Sequence, residues 1–328
     1  MNKIVAFGEI MLRLSPKDNN IIEDTNEYDA YYGGTESNTL VTLSSLGNET
    51  TYITKVPNDS LGKGVVRHLR KHNVGTEGVI FGGDRLGLYF MEQGFGGRSS
   101  QVLYHRKGAS VNTLTLDELN IDKIFENANW FHLTGITLGI SNQAKELAIK
   151  LCEIAKNKNI TISFDFNYRS KLWTIEEAKT AYKEIMPYID VCFGNIFDLN
   201  NFLDINGENA VETFLKMYNI KYLINTKREV INNNTHRISG LAYQYQNNKL
   251  NNYQTNSYTF EILDRIGAGD CYDAGIIHLL NKDINNIEEA LNFGIRCDIL
   301  KHFVKGDVLS ISEQEVLNYN PIHQDVKR

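Results

Sequence analysis

Paired cysteines, a basic block and a long apolar run are all missing from this chain, and each absence closes off a class of function. Only four cysteines occur, Cys152, Cys192, Cys271 and Cys297. They are widely spaced and form no C-x-x-C pair, so neither a zinc site nor a disulfide framework follows. Buried free thiols in a reducing cytoplasm are the expectation. Lys and Arg number 34 against 40 Asp and Glu, a net charge of −6. No cluster of cations stands out, which argues against a nucleic-acid backbone as partner. No apolar stretch is long enough to cross a bilayer. The apolar run Lys3–Gly8 is broken by Glu9 and reads as a buried strand rather than a signal peptide. There is no internal repeat and no interdomain linker. One domain is therefore expected over residues 1–315, with a C-terminal tail at 316–328.

What is present is the ordinary material of a soluble α/β protein, with 42% hydrophobic and 23% charged residues. From Trp130 onward apolar strands alternate with amphipathic helices. Trp130–Thr134, Thr161–Asp165, Val191–Gly194 and Tyr222–Thr226 read as strands, and Ser141–Asn157, Ile175–Tyr188 and Gly207–Tyr218 as helices. Such alternation predicts a parallel sheet with crossover helices. Sites in such sheets lie beyond the carboxyl ends of the strands. Asp165, Asn195, Thr226 and Asp264 each fall at an expected end and could converge. Two regions break the alternation, about 11–33 and about 86–107, where short strands follow one another. Residues 228–258 read as a β-meander with asparagine-rich turns.

The most informative stretch runs from Asp264 through Gly267-Ala268-Gly269-Asp270 to Gly275. Gly267 and Gly269 allow backbone conformations that a Cβ would forbid, and the run after Asp270 is apolar enough for a buried helix. A helix N-terminus attracts anions through its unpaired N–H groups and its dipole. A carboxylate there makes sense as a base beside donors that hold developing negative charge. It makes equal sense as an ordinary helix cap.

Gly267-Ala268-Gly269-Asp270 resembles the C-terminal signature of the ribokinase-like (PfkB-type) carbohydrate kinases. Their N-terminal signature has its counterpart in Tyr32-Gly33-Gly34-Thr35-Glu36-Ser37-Asn38. Further segments resemble the 2-keto-3-deoxygluconate kinases within that family: Gly8-Glu9-Ile10-Met11-Leu12-Arg13, Arg85–Phe90, Leu103-Tyr104-His105-Arg106, and Asp165-Phe166-Asn167-Tyr168-Arg169 with Lys171-Leu172-Trp173. The resemblance covers Lys3 to about Ile311. It implies a ribokinase-like fold, a central mostly parallel sheet with helices on both faces and a small β-sheet lid drawn from about 11–33 and 86–107. It also implies ATP-dependent phosphorylation of a sugar acid at its terminal hydroxyl. An exposed lid sheet would have open edges, which pairing with another subunit would cover.

Roles follow from the same resemblance. Asp270 would be the general base, and Gly267, Ala268 and Gly269 would supply N–H groups to the phosphates. Gly33, Gly34, Asn38, Tyr89, Tyr104, Arg106, Arg169 and Asp307 would contact the sugar acid. Arginine suits a carboxylate because its planar fork binds both oxygens, although any single arginine can equally be a structural ion pair. Asp264 would brace the loop or a hydroxyl. Asn195 would organise magnesium and phosphates, with Asp198 standing where glutamate is usual and reaching magnesium only through water. Thr226, Lys227 and Arg228 would lead into the nucleotide loop.

The chain departs from the pattern in that loop. No glycine occurs between Lys227 and Gly240, so Asn232–Asn234 would have to make the turn. Phe293 and Arg296 stand where small residues near adenine are usual, and His105 stands where aspartate is usual. Two rivals stay open. One is a kinase for a neutral sugar such as fructose, or for a deoxy-gluconate isomer. The other is a sugar-acid sensor without turnover.

Overall fold

The computed structural model describes residues 3–94, 98–232 and 234–320. Its main sheet has ten strands. In spatial order they run Lys249–Gln254, Thr235–Gln246, Tyr222–Asn232, Val191–Phe193, Thr161–Asp165, Ala128–Thr134, Lys3–Phe7, Glu49–Val56 and Gly75–Phe81, with Tyr258–Glu261 also pairing on Thr235–Gln246. The pairs from Tyr222 to Phe81 are parallel. Ile4, Val5, Ala6 and Phe7 are all fully buried, as expected of a strand covered on both faces. One apolar core lies on each face. Helices Asn142–Asn157, Ile175–Ile185, Ile196–Phe202 and Ala210–Met217 cover one. Helices Thr35–Ser45, Ser60–Lys71, Ala268–Leu280 and Ile287–Lys301 cover the other.

Local signals place these helices. Ser141 Oγ accepts from Ala144 N at 3.1 Å and starts Asn142–Asn157. Thr174 and Glu177 form a reciprocal capping box at Ile175–Ile185. Asparagine often does the work of a C-terminal glycine: Asn73, Asn159 and Asn219 each follow a helix at φ between 54° and 56°, a conformation asparagine tolerates better than most residues. The same tolerance builds the hairpin at Asn247 and Asn248.

A second, four-stranded sheet has the order Tyr28–Gly33, Met11–Pro16, Gly87–Glu92, Gln101–His105, matching the two regions where the alternation breaks. Met11–Pro16 alternates buried and half-buried residues. One of its inward positions is Arg13, only 2% exposed. Arg13 donates to Asp307 at 2.8 Å and to Asp264 at 3.0 Å, so a strand of the small sheet is bound to two loops of the main body.

Two expectations need correction. The strand beginning at Tyr222 does not stop at Thr226. It continues to Asn232, because residues 223–232 pair antiparallel with 235–243 and extend the ladder past the parallel neighbours. Thr226, Lys227 and Arg228 are therefore strand residues. Asn234 N donates to Asn232 Oδ1 at 2.9 Å in the turn that follows; Asn233 lies outside the described residues. The C-terminal segment is also ordered further than a tail from 316 implies. Helix Glu313–Asn318 is held by a capping box at Ser312 and buries Val316. The rest of the expected tail, 321–328, lies outside the described residues.

Arg13→Met should destabilise the fold by about 3–5 kcal/mol, because it strands two buried carboxylates. Denaturant unfolding measures this directly. Arg13→Lys should recover only part of the loss, since an ammonium cannot span two carboxylates as a guanidinium does. A loss near that of an exposed ion pair would show that the bridge is not a fold determinant.

Candidate active site

Helix Ala268–Leu280 begins at the seam between the main body and the small sheet. Its N-cap, Gly267, has φ +82°, and a Cβ there would lie 1.9 Å from the Asp307 carbonyl oxygen. Only glycine fits both constraints. The turn leaves Gly269 exposed and open, and places Asp270 in the first helical turn. Across the seam a Cβ on Gly34 would lie 1.9 Å from the Glu9 carbonyl oxygen, so the chain crossing from the small sheet into helix Thr35–Ser45 also requires glycine.

A cavity of about 370 Å³ opens between these two turns. Gly33, Gly34, Asn38, Tyr89, Tyr104, Arg106, Arg169 and Gly267–Asp270 all line it. Residues spread over more than two hundred positions thus meet at one recess beyond the strand ends. Asp165, at the end of its strand, lines it too.

Asp270 sits at its floor, reached by solvent yet surrounded by protein. Asn38 Nδ2 donates to its Oδ2 at 2.7 Å, and Asn38 Oδ1 accepts from Gly34 N at 3.3 Å. Asn38 therefore ties the floor to the glycine turn opposite. Burial pushes the Asp270 carboxyl up to about 7, opposed by the Asn38 hydrogen bond and the Arg169 charge. Asp165 is also pushed up to about 7, first by burial and then by Asp270 and Asp198, with Arg169 pulling the other way. Arg169 is exposed, and its one hydrogen bond is to the Tyr168 carbonyl at 3.3 Å. Arg106 is engaged differently. It donates to buried Glu9 and lies over the Tyr104 ring, 5.6 Å from its centroid.

Asp307 lies behind this wall rather than in it. It is 2% exposed, accepts from Arg13 and Tyr89, and faces Gly33 from the far side. Tyr89 thus presents its ring to the cavity while its hydroxyl is turned to Asp307. Asp264 accepts from Arg13, from Ile266 N at 3.0 Å and from Gly306 N at 3.1 Å, which braces the loop ahead of Gly267.

Asn195 and Asp198 cap helix Ile196–Phe202 reciprocally: Asn195 Oδ1 accepts from Phe197 N and Asp198 Oδ2 from Asn195 N, both at 2.8 Å. Burial raises the Asp198 carboxyl to about 6. Thr226 and Arg228 lie on the strand face that looks toward helix Ala268–Leu280, opposite Gly240 and Ile238. Lys227 falls on the other face with Glu229 and Arg237, which pair at 3.1 Å. Phe293 is buried in the core against His278 rather than lining a surface. Among the described residues no group of three or more His, Cys, Asp or Glu is placed to hold a metal ion, and no helix is long and apolar enough to cross a membrane.

The pattern of the pfkB family carbohydrate kinases matches residues 1–298. The chain belongs to this family. It is a sugar kinase. A 2-dehydro-3-deoxygalactonokinase of Haloferax volcanii is 31% identical over 96% of this chain and 95% of its own. The crystal structure of a 2-dehydro-3-deoxygluconokinase from Thermotoga maritima superposes with a TM-score of 0.90 at 33% identity, covering 96% and 97% of the two chains. A pfkB family carbohydrate kinase from Listeria grayi gives a TM-score of 0.90 at 32% identity, over 96% and 98%. In this kinase the cavity lies between the small sheet and the large one.

Sequence reading assigned no role to Arg13, Glu9 or Arg265. Arg13 left one signal, a charge among the apolar residues of Met11-Leu12-Arg13-Leu14. Glu9 left another, a carboxylate directly after an apolar strand. Arg265 also lines the cavity.

Carbon-13 titration of the Asp270 carboxyl in the ligand-free kinase should give a midpoint near pH 7, against about 4 for an exposed aspartate. The fold favours the protonated form, so its stability should fall as pH rises between those two values. A midpoint near 4 would mean that burial does not govern this group.

Proposed function

We propose that this kinase transfers the γ-phosphoryl group of ATP to the terminal hydroxyl of 2-keto-3-deoxygluconate, or of its galacto epimer, with Asp270 as general base. The observation that carries the reading is one cavity with Asp270 at a helix N-terminus on its floor and Arg169 in its wall with no acidic partner within ion-pair distance among the described residues. A neutral sugar gives that arginine nothing to bind, whereas a carboxylate at one end of a short acid fits it and leaves the other end over Asp270. The names of the Haloferax and Thermotoga relatives point to the same substrate class.

The step balances simply. The acceptor oxygen forms a bond to the γ-phosphorus as the bond to the β–γ bridging oxygen breaks, and that electron pair stays on ADP. The hydroxyl proton passes to Asp270. The N–H groups of Gly267, Ala268 and Gly269 hold the charge on the moving phosphoryl group. Magnesium, when bound with the nucleotide, would neutralise phosphate charge. Asp165 feels the charges of Asp270 and Asp198, and a cation carried in with the nucleotide would relieve that repulsion. The lid residues Tyr89 and Tyr104 shield the reaction from water.

Activity requires the ionised Asp270, so kcat/KM should rise as pH passes upward through about 7 and be lost below it. Asp270→Asn should reduce kcat by at least about 10²-fold and abolish this limb. Near-wild-type turnover by that variant would leave Asp270 as a cap alone.

An ADP-release assay with both 2-keto-3-deoxy acids, gluconate and fructose tests the substrate. Arg169→Leu should raise KM for the favoured acid roughly ten- to a hundredfold, from about 1.5–3 kcal/mol per charged hydrogen bond. KM for ATP should hardly move. A wild-type preference for fructose would overturn the acid assignment and leave the kinase fold intact.

A further inference from the structure

Beyond the two arginines of the sugar-acid site lies a second cavity, of about 350 Å³. Tyr104, Arg106 and Arg169 line both recesses. Lys107, Asn112 and Lys171 line only the second, and Asp270 and both glycine turns only the first. Arg106, Lys107, Arg169 and Lys171 thus surround one space that no acidic side chain lines among the described residues. The two lysines come from separate elements. Lys107 stands just after strand Gln101–His105, and Lys171 in the loop after strand Thr161–Asp165. Both are exposed. Lys171 Nζ donates to the Val102 carbonyl at 3.1 Å, which ties its loop to the small sheet and fixes where the ammonium stands. Two polar atoms on lining residues, Arg106 Nε and Asn112 Oδ1, are buried without a partner. Cations gathered without counter-charge repel one another, and a recess lined by one sign of charge concentrates the opposite sign.

We infer that this second cavity is an inhibitory site for a phosphorylated sugar acid, with its carboxylate on Arg106 and Arg169 and its phosphate between Lys107 and Lys171. The inference rests on the reading above that the substrate's carboxylate meets those arginines. The substrate extends from them toward Asp270, and the inhibitor extends away from it. A lone carboxylate is matched by guanidinium groups, and leaves the two lysines unsatisfied. A phosphate monoester adds about two negative charges and three acceptor oxygens, which ammonium groups from two elements can share. A hydroxyl on the same ligand gives Asn112 a donor. Neither Asp270 nor the turn at Gly267 lines the second cavity, so a hydroxyl bound there meets no base and is not phosphorylated. The occupant instead holds the two arginines that the substrate needs, and the two acids exclude one another. A phosphorylated acid is what the proposed reaction makes, so the kinase slows as its product accumulates.

The probe is 6-phosphogluconate, whose terminal oxygen is already esterified. In wild type it should raise the apparent KM for the sugar acid and leave that for ATP unchanged. Lys107→Gln combined with Lys171→Gln should weaken this inhibition by about tenfold or more, the scale of a lost charged hydrogen bond, while kcat and KM for the acid hardly move. Lys107→Arg combined with Lys171→Arg should keep most of it. Gluconate, which lacks the phosphate, should inhibit wild type and the glutamine variant alike. Inhibition at the first cavity alone would be untouched by these substitutions, so equal inhibition of wild type and the glutamine variant overturns the site. A rise in KM for the acid in step with the loss of inhibition also overturns it, because the lysines would then serve the substrate. Inhibition relieved by ATP rather than by the acid does the same. Calorimetry separates this site from the reading it rests on. If wild type binds 6-phosphogluconate and the glutamine variant loses that binding, but no 2-keto-3-deoxy acid is turned over, the substrate reading falls and the site stands. If wild type does not bind the probe, the site falls whatever the substrate is.

Discussion

The buried guanidinium of Arg13 is the contact on which the site depends. It touches both the loop ahead of the glycine turn, through Asp264, and the loop that underlies that turn, through Asp307. It belongs to the lid. Two carboxylates this deep in the protein would be strongly unfavourable alone, and one arginine with donors in a fixed fork satisfies both. Tyr89, from the neighbouring lid strand, adds its hydroxyl to Asp307. The cavity therefore lies between two bodies whose relative position is set by a charged pin directly behind it. Gly267 tightens the arrangement further, since its backbone packs against Asp307 too closely for any side chain.

Electrostatics in front of the pin follow from burial more than from pairing. Asp165 and Asp270 are both pushed up to about 7, with burial as the first cause. Arg169 alone pulls against it for both. Both groups therefore ionise near neutral pH, where a carboxyl accepts a proton more readily than it does at its ordinary value. A base that is half ionised at neutral pH can both take a proton and release it between turnovers. A fully ionised surface aspartate would be a weaker acceptor.

Much of this was legible in the chain. The glycine turn at 267–269, the glycine pair at 33–34 and the lid segments all have local signatures, because each depends on backbone conformations or on patterns a few residues long. The helix starts at Ser141 and Ile175 were legible for the same reason. What escaped is long-range. Nothing near Asp307 in sequence says that its partner is Arg13, so a buried ion pair and a substrate contact read alike. The extension of the strand past Thr226 escaped because it is decided by the partner, residues 235–243, and not by its own polar sequence. Alternation along that strand then separates Lys227 from Thr226 and Arg228, a division that is simple once the strand is known and invisible when the segment is read as a loop.

The two arginines expected at the sugar acid are not equivalent, and the difference is physical. Arg169 stands exposed and ready. Arg106 is already joined to Glu9, which is itself buried and whose other carboxylate oxygen has no partner. Burial raises the Glu9 carboxyl, and the Arg106 charge lowers it. A carboxylate entering the cavity competes with Glu9 for the same guanidinium, and Glu9 can accept a proton if it loses that contest. A neutral ligand has no such effect: it would shield Arg169 from water without a partner and leave Arg106 where it was. Under the proposed acid specificity, discrimination would come from the penalty for burying an unmatched cation as much as from attraction to the right substrate. Arg106, which follows the small sheet, and Arg169, which follows a strand of the large one, would then meet the same anion from two sides of the cavity.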